Sequence, residues 1–467
     1  MLTFFPRVFS TRGILCYVVT LVLVSAAFVS HALPFQFMLF GFVPVVLFFD
    51  FSNKLTIRWG HYSPLLFRKK LFNTALLIRL GYIIFIYFYY IEMTGLPHAY
   101  YAADELQYQS SAVLWQSANF RSFWEELSLC YDFSDRGYIF YLGTVYKFLG
   151  PHVLTARVLK CFIDAFSCVL IYNLAKRNFG ESTGRIAAVF YMLMPNMWYY
   201  CGVTLKETEM AFLVILFVER ADAALHSPRI TLSNILLPSV AILFMFTFRT
   251  ALGAVMMAAL AGSLILSSGK QLQTWKKVLY TSVFAIWIFL TMGVEIVQET
   301  QQLWEGRTEN QSAGYEWRSQ QVGGNTFAKY ATASVFDSLI FTIPFSSMVY
   351  VEGQENQMMM NGANFIKNIM SGFTIFAIIL LLIRKDWRKH VLPLATMCGY
   401  LVVLVFSNFA HSERFHFPVL ALELVFAAYG VSQVTNKHKR WFTMWLMGMC
   451  IANIAWAWIK LAGRGLA

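Results

Sequence analysis

The chain has 467 residues, of which 58% are hydrophobic, 17% aromatic and only 13% charged. Soluble domains carry about 25% charged residues, so this balance excludes an ordinary water-soluble protein and indicates a chain whose main solvent is lipid. The net charge of +12 does not point to nucleic acid, because the basic residues are dispersed in short segments between apolar runs.

A membrane span needs about 20 apolar residues. In chain order, such runs fall at 14–32, 35–51, 71–91, 152–175, 185–200, 206–225, 231–248, 250–268, 277–295, 364–383, 391–409, 416–433 and 441–460. They predict an all-α polytopic membrane protein of about 13 transmembrane helices, read as one membrane domain over 1–467. The basic N-terminus before 14–32 looks like a signal peptide, but the run is long enough to span and another follows, so it reads as an uncleaved first helix. With the N-terminus in the cytoplasm, basic clusters such as Lys54, Arg58, Arg68, Lys69 and Lys70, or Arg384, Lys385, Arg388 and Lys389, all fall on the cytoplasmic side. The excess over the opposite side is roughly twofold, as the positive-inside rule requires. An odd number of spans places the C-terminus outside.

Two loops are long, 95–151 and 296–363, and both face outside in this topology. Long loops carry function, so the site is expected at the extracytoplasmic face, with a bacterial inner membrane as the expected location. The sequon Asn310-Gln311-Ser312 is also compatible with an endoplasmic-reticulum membrane. Within the second loop, 334–350 is apolar but carries Asp337 and Pro344, and reads as a re-entrant or surface helix. The seven cysteines lack any CxxC spacing and read as small apolar residues, with no metal or disulfide framework.

The first long loop opens on the acidic pair Asp104-Glu105, followed by Tyr108 and a helical stretch to Leu129 whose aromatic face (Tyr108, Trp115, Phe120, Phe123, Trp124) suits the membrane interface. The pair is either a helix start, with Asp104 as cap, or a general base at headgroup level, where it can take the proton of an attacking hydroxyl. The chain continues through Gly150-Pro151, Thr155-Ala156-Arg157-Val158, Ala175-Lys176-Arg177 with Phe179-Gly180, and an apolar run from Ala187 to Pro195. Lys206-Glu207 then follows Trp198-Tyr199-Tyr200 at the outer end of a tight helical hairpin, where ionisable groups face a cavity rather than lipid. Arg249 interrupts an apolar stretch too long for one span and marks a turn at the outer face. Near the C-terminus stands His411-Ser412-Glu413-Arg414-Phe415-His416-Phe417-Pro418. The His411, Glu413 and His416 spacing fits no zinc signature, so no cofactor is expected and a divalent metal is the minor alternative.

In this order the motifs of 95–225 resemble the GT-C glycosyltransferases of the protein-mannosyltransferase and aminoarabinose-transferase type. The last third matches that pattern only at Arg414 and Pro418, and the leading hairpin over 14–51 is additional. The resemblance implies glycosyl transfer from a polyprenyl-phosphate-linked sugar to a glycan, lipid or protein acceptor at the outer face of the membrane. Asp104 is then the base that gives an inverting reaction, with Glu105 supporting it and Tyr108 beside it. Arg157, Lys206 with Glu207, Arg249 and Arg414 are then the groups around the donor phosphate, where positive charge stabilises the leaving group. Two other readings stand. A surface-polysaccharide polymerase or ligase uses the same lipid carriers but depends on outer-loop arginines such as Arg307 and Arg318. A lipid-linked sugar flippase or transporter does no covalent chemistry. Only the first reading needs Asp104.

Overall fold

In the computed structural model, the residues described are 2–115, 119–226, 231–266, a few isolated positions between 282 and 301, 324–329, 337–407, 410–435 and 438–466. Among these the chain is all helical, with a single isolated bridge between Ala32 and Val349 and no strand. Three long helices come first: α1 (Arg7–Ala27), α2 (Phe35–Trp59) and α3 (Pro64–Thr94). α3 shows how sequence sets the ends. The Ser63 hydroxyl accepts from Leu66 N at 3.3 Å, Pro64 occupies the first turn, and Gly95 closes the helix with φ of 75°.

The first long loop folds into α4 (Ala103–Leu114), α5 (Phe120–Cys130) and α6 (Phe133–Leu149). The single aromatic interface helix expected to Leu129 is therefore two helices. Part of its aromatic face is turned inward: Trp115 packs edge-on against Phe123 at 4.1 Å between ring centroids, and both are buried. α7 (Val153–Phe179), α8 (Glu181–Leu193), α9 (Pro195–Cys201), α10 (Glu207–His226), α11 (Leu232–Phe248) and α12 (Thr250–Leu266) follow. The span expected at 185–200 is broken at Pro195, which has no N–H to donate and forces Met194 into an extended conformation. After the one-turn helix Glu355–Met359 come α13 (Asn361–Ile383), α14 (Val391–Phe406), α15 (Glu413–Ser432) and α16 (His438–Ala462).

Among the described residues, seven helices are long and apolar enough to cross a membrane: α1, α2, α3, α7, α13, α15 and α16. α11, α12 and α14 are shorter apolar helices. Apart from a few isolated positions, the span expected at 277–295 lies outside the described residues, as do Arg307, Arg318 and the sequon of the loop 296–363. α15 is the axis of the bundle: 94% of its apolar window is buried, against 33% for α1 and 28% for α3, which present their apolar sides outward. It packs on α13, α8, α10 and α14. The α13–α15 contact is close because Gly430 lies against the backbone carbonyl of Phe373, leaving no room for a Cβ.

One buried charge pair joins three helices of the bundle. Arg79 of α3 bonds Asp164 of α7, and the Tyr191 hydroxyl of α8 donates to the same carboxylate. The Arg79 Nη1 also donates to Ala75 O and Met192 O, each at 3.2 Å. In an apolar interior such a pair persists only when its remaining polar atoms are satisfied.

Residues 337–350 do not form the re-entrant or surface helix expected for this stretch. Beyond a single 3₁₀ turn, Asp337–Leu339, the segment is irregular, and 342–349 are buried. Helices elsewhere in the chain supply the hydrogen bonds that such a backbone lacks. Lys367 donates to Ile343 O, Asn368 to Thr342 O and Pro344 O, and Asn453 Oδ1 accepts from Ser346 N at 2.8 Å.

Candidate functional site

Segments that the basic-residue pattern assigns to one side come together at one end of the bundle. Residues 99–105, 199–205, 353–357 and 412–414 converge on a cavity of about 300 Å³ lined by Asp104, Glu105, Tyr199, Tyr200, Gln354 and Arg414 among others. Segments assigned to the other side, carrying Arg68, Lys176, Arg177 and Arg220, meet around a separate cavity of about 520 Å³.

α4 places the acidic pair. Its N-cap is Ala102, with no side-chain cap, and Asp104 lies inside the first turn. Asp104 is therefore not the cap of this helix. Its carboxylate is half exposed, and Oδ2 accepts from Arg414 Nη1. The neighbouring Nε of Arg414 donates to Glu207 Oε1. One guanidinium thus bridges an exposed and a fully buried carboxylate from three different segments, a fork geometry that lysine cannot supply. Glu207 Oε2 has no partner among the described residues.

Glu105 has a different setting. It is 1% exposed, and its carboxylate is saturated. Oε1 accepts from Ala99 N at 3.2 Å, and Oε2 accepts from Thr204 N at 2.7 Å and Arg157 Nη2 at 3.4 Å, with His98 Nδ1 also 3.4 Å away. Burial alone raises the pKa of this carboxyl, but the His98 hydrogen bond, the Arg157 charge and the Thr204 N–H together hold it below the usual carboxylate value. Arg157 is itself fully buried and donates to Pro97 O at 2.6 Å. The Glu105–Arg157 pair fastens the 97–99 turn and the 203–206 loop onto α7, beneath the cavity wall.

Tyr108 and Lys206 meet on a residue that the sequence reading did not assign to the site. The Tyr108 hydroxyl donates to Asp135 Oδ1 at 2.9 Å, and Lys206 Nζ bonds the same carboxylate oxygen. Lys206 also donates to Ser134 O at 2.9 Å and Phe248 O at 2.7 Å, and is 5% exposed. Burial lowers the Lys206 pKa, and the Asp135 charge only partly offsets this. Asp135 is held below its ordinary value, burial being outweighed by the Lys206 charge and hydrogen bond and by Tyr108. Asp135 stands in the Asp135-Arg136-Gly137-Tyr138 stretch at the start of α6, and its acidic position in a first turn was the only local signal. Arg249 stands one shell further out. Its Nη1 donates to the Tyr400 hydroxyl at 3.0 Å, and its guanidinium lies over the Phe415 ring at 4.4 Å. It is not among the residues lining the cavity.

Of the three residues weighed as metal ligands, Glu413 lines the cavity and His416 is committed elsewhere. The His416 Nδ1 takes Lys367 Nζ at 2.8 Å, and its Nε2 lies 2.7 Å from Ala410 O. Among the described residues no cluster of three or more His, Cys, Asp or Glu side chains is disposed to hold a metal.

With this geometry in place, comparison with known proteins adds one finding. Residues 359–462 match the model of the Alg9-like mannosyltransferase family, a glycosyltransferase family of the GT-C superfamily. The matched region runs from α13 to the end of α16, contains Arg414, and lies in the third of the chain where sequence motifs were sparsest. Together with the apolar helices, the match supports an integral membrane glycosyltransferase. No curated protein matches the chain.

Proposed function

We propose that this chain transfers a sugar from a polyprenyl-phosphate donor to a glycan, lipid or protein acceptor at the extracytoplasmic face, with inversion at the anomeric carbon. The observation that carries this reading is the bridge from Arg414 to Asp104 and Glu207 at a small cavity beside the first loop. It sets a half-exposed carboxylate beside a guanidinium anchored by a buried one.

The chemistry follows from those groups. An acceptor hydroxyl attacks the anomeric carbon as its proton passes to Asp104. The bond from that carbon to the phosphate oxygen breaks, and the lipid phosphate leaves with the electron pair. A single displacement inverts the centre. Arg414 stabilises the negative charge that grows on the leaving phosphate, because a pre-oriented guanidinium needs no reorganisation as the bond breaks. Buried Glu207 fixes one edge of that guanidinium, so Arg414 stays in place when a phosphate competes for it. Glu105, Arg157, Lys206 and Asp135 hold the two walls in register rather than touch the reacting atoms: Glu105 is saturated by protein partners, Arg157 and Lys206 are buried, and Asp135 is engaged by Lys206 and Tyr108 and does not line the cavity. Tyr108 acts through Asp135 in the same way.

The test is transfer from radiolabelled polyprenyl-phosphate sugars by the purified protein, wild type beside Asp104→Asn. Transfer by wild type and its loss in the variant support the reading. Equal transfer by both removes Asp104 as base.

A further inference from the structure

Lys460, near the end of α16, is 8% exposed. Its ammonium donates to three side-chain oxygens: Ser347 Oγ at 2.6 Å, Gln354 Oε1 at 2.9 Å and Gln357 Oε1 at 2.6 Å. An ammonium carries three N–H donors and no acceptor, so this set uses all three. It also decides the orientation of both carboxamides. A lysine can only donate, so both amide oxygens face it and both amide nitrogens face away. Neither Gln Nε2 has a partner among the described residues.

Both glutamines line the cavity that holds Asp104 and Arg414, and so do Tyr100, Tyr101, Tyr199 and Tyr200. Tyr100 is tied down through its hydroxyl, 3.1 Å from that of Tyr89, and through its carbonyl, which accepts from Asn356 Nδ2 at 2.7 Å. The cavity therefore joins oriented neutral N–H donors to aromatic rings, at a volume near the lower end of small-molecule sites. Neutral donors suit hydroxyl oxygens, and rings cover the apolar C–H face of a pyranose. The anionic part of a ligand goes instead to Arg414.

We infer that Gln354 and Gln357, oriented by Lys460, form the subsite for the transferred sugar of the donor. This rests on the donor reading above and extends it by naming which residues read the sugar. Lys460 is a positioning residue: it acts through the two carboxamides, linking the last helix to the chemistry at the first loop.

The experiment measures binding of two probes to the full-length protein in nanodiscs, by tryptophan fluorescence. One probe is a bare polyprenyl phosphate. The other is the same lipid carrying mannose or glucose on its phosphate. Wild type is expected to bind one of the sugar-bearing lipids at least ~10-fold more tightly, the scale of one or two net hydrogen bonds. Gln354→Glu and Gln357→Glu keep an oxygen for Lys460 but replace the amide N–H₂ by a second oxygen. They are expected to bring the ratio close to one; the ratio is the readout, because a carboxylate added to the cavity that holds Arg414 lowers the affinity for either lipid phosphate. Lys460→Met, which frees both amides, is expected to do the same; if it fails to fold, the two glutamate variants decide alone. Full discrimination retained by those variants, or none in wild type, overturns the subsite and leaves the lipid-phosphate reading standing. Binding of neither lipid by wild type overturns both.

Discussion

Arg414 and Asp104 are 310 positions apart in the chain and bonded to each other at the cavity. The same guanidinium holds Glu207, so an exposed acid, an arginine and a buried acid form one chain of charges. In such a row the exposed acid is free to do chemistry, while the buried one sets geometry.

If Asp104 is the base, its amide analogue should keep shape and lose chemistry. Asp104→Asn is expected to lower the transfer rate by ~10²–10⁴-fold, the contribution of a positioned base, with donor affinity changed little. Single-turnover kinetics alongside donor binding check this, and a variant that loses binding rather than rate contradicts it.

Arg414→Ala is expected to weaken binding of the donor phosphate and to destabilise the fold, because Glu207 is then left as a buried charge without its guanidinium. Breaking a buried pair costs about 3–5 kcal/mol. The double variant Arg414→Ala with Glu207→Gln should recover much of the stability and none of the donor binding. Thermal unfolding in detergent, measured beside lipid-phosphate affinity, separates the two effects. Arg414→Lys should fail to restore binding, since a lysine lacks the planar fork that presents Nε to Glu207 and Nη1 to Asp104.

The carboxyl of Glu105 is held below its usual pKa by His98, Arg157 and Thr204 against the effect of burial. Its folded pKa therefore lies below the unfolded value of about 4.3, so its contribution to stability is complete above that pH and is lost as pH falls through the folded pKa. Wild-type melting temperature should fall as the pH drops below about 4.3, and Glu105→Gln should show a shallower acid limb from a lower starting stability. An unchanged acid limb in the variant would sink this assignment.

Arg79→Leu is expected to destabilise the bundle by about 3–5 kcal/mol, since it strands Asp164 among α3, α7 and α8. Replacing both partners, Arg79→Leu with Asp164→Leu, should be much milder, because two apolar side chains need no partners. Unfolding in detergent reads the difference, and equal losses in the two variants would show that the pair itself stabilises the fold.

Much of the organisation was legible in the chain. Every apolar run predicted as a span, apart from 277–295 outside the described residues, falls on one or two helices, because lipid exposure writes hydropathy directly into local sequence. The broken helix at Pro195 was legible in principle, and the prediction crossed it because hydropathy does not register a missing N–H. Of the site, Asp104, Glu105 and Arg414 were named in advance and do line one cavity. Asp135, Gln354, Gln357 and Lys460 were not, since each acquires its role only from partners distant in sequence.

By itself, then, the sequence determined the class of solvent, the helical segments and the grouping of loops at two ends, all of which depend on local composition. Only the tertiary structure decided which carboxylate of the acidic pair is buried and which is open, that Arg414 reaches one of them, and that a lysine in the last helix aligns two glutamines in the second loop. Those outcomes depend on which side chains of α4, α15, α16 and the second loop the whole fold brings together. Hydropathy is additive along a chain, whereas the desolvation and pairing of a charge depend on every neighbour that packing brings to it.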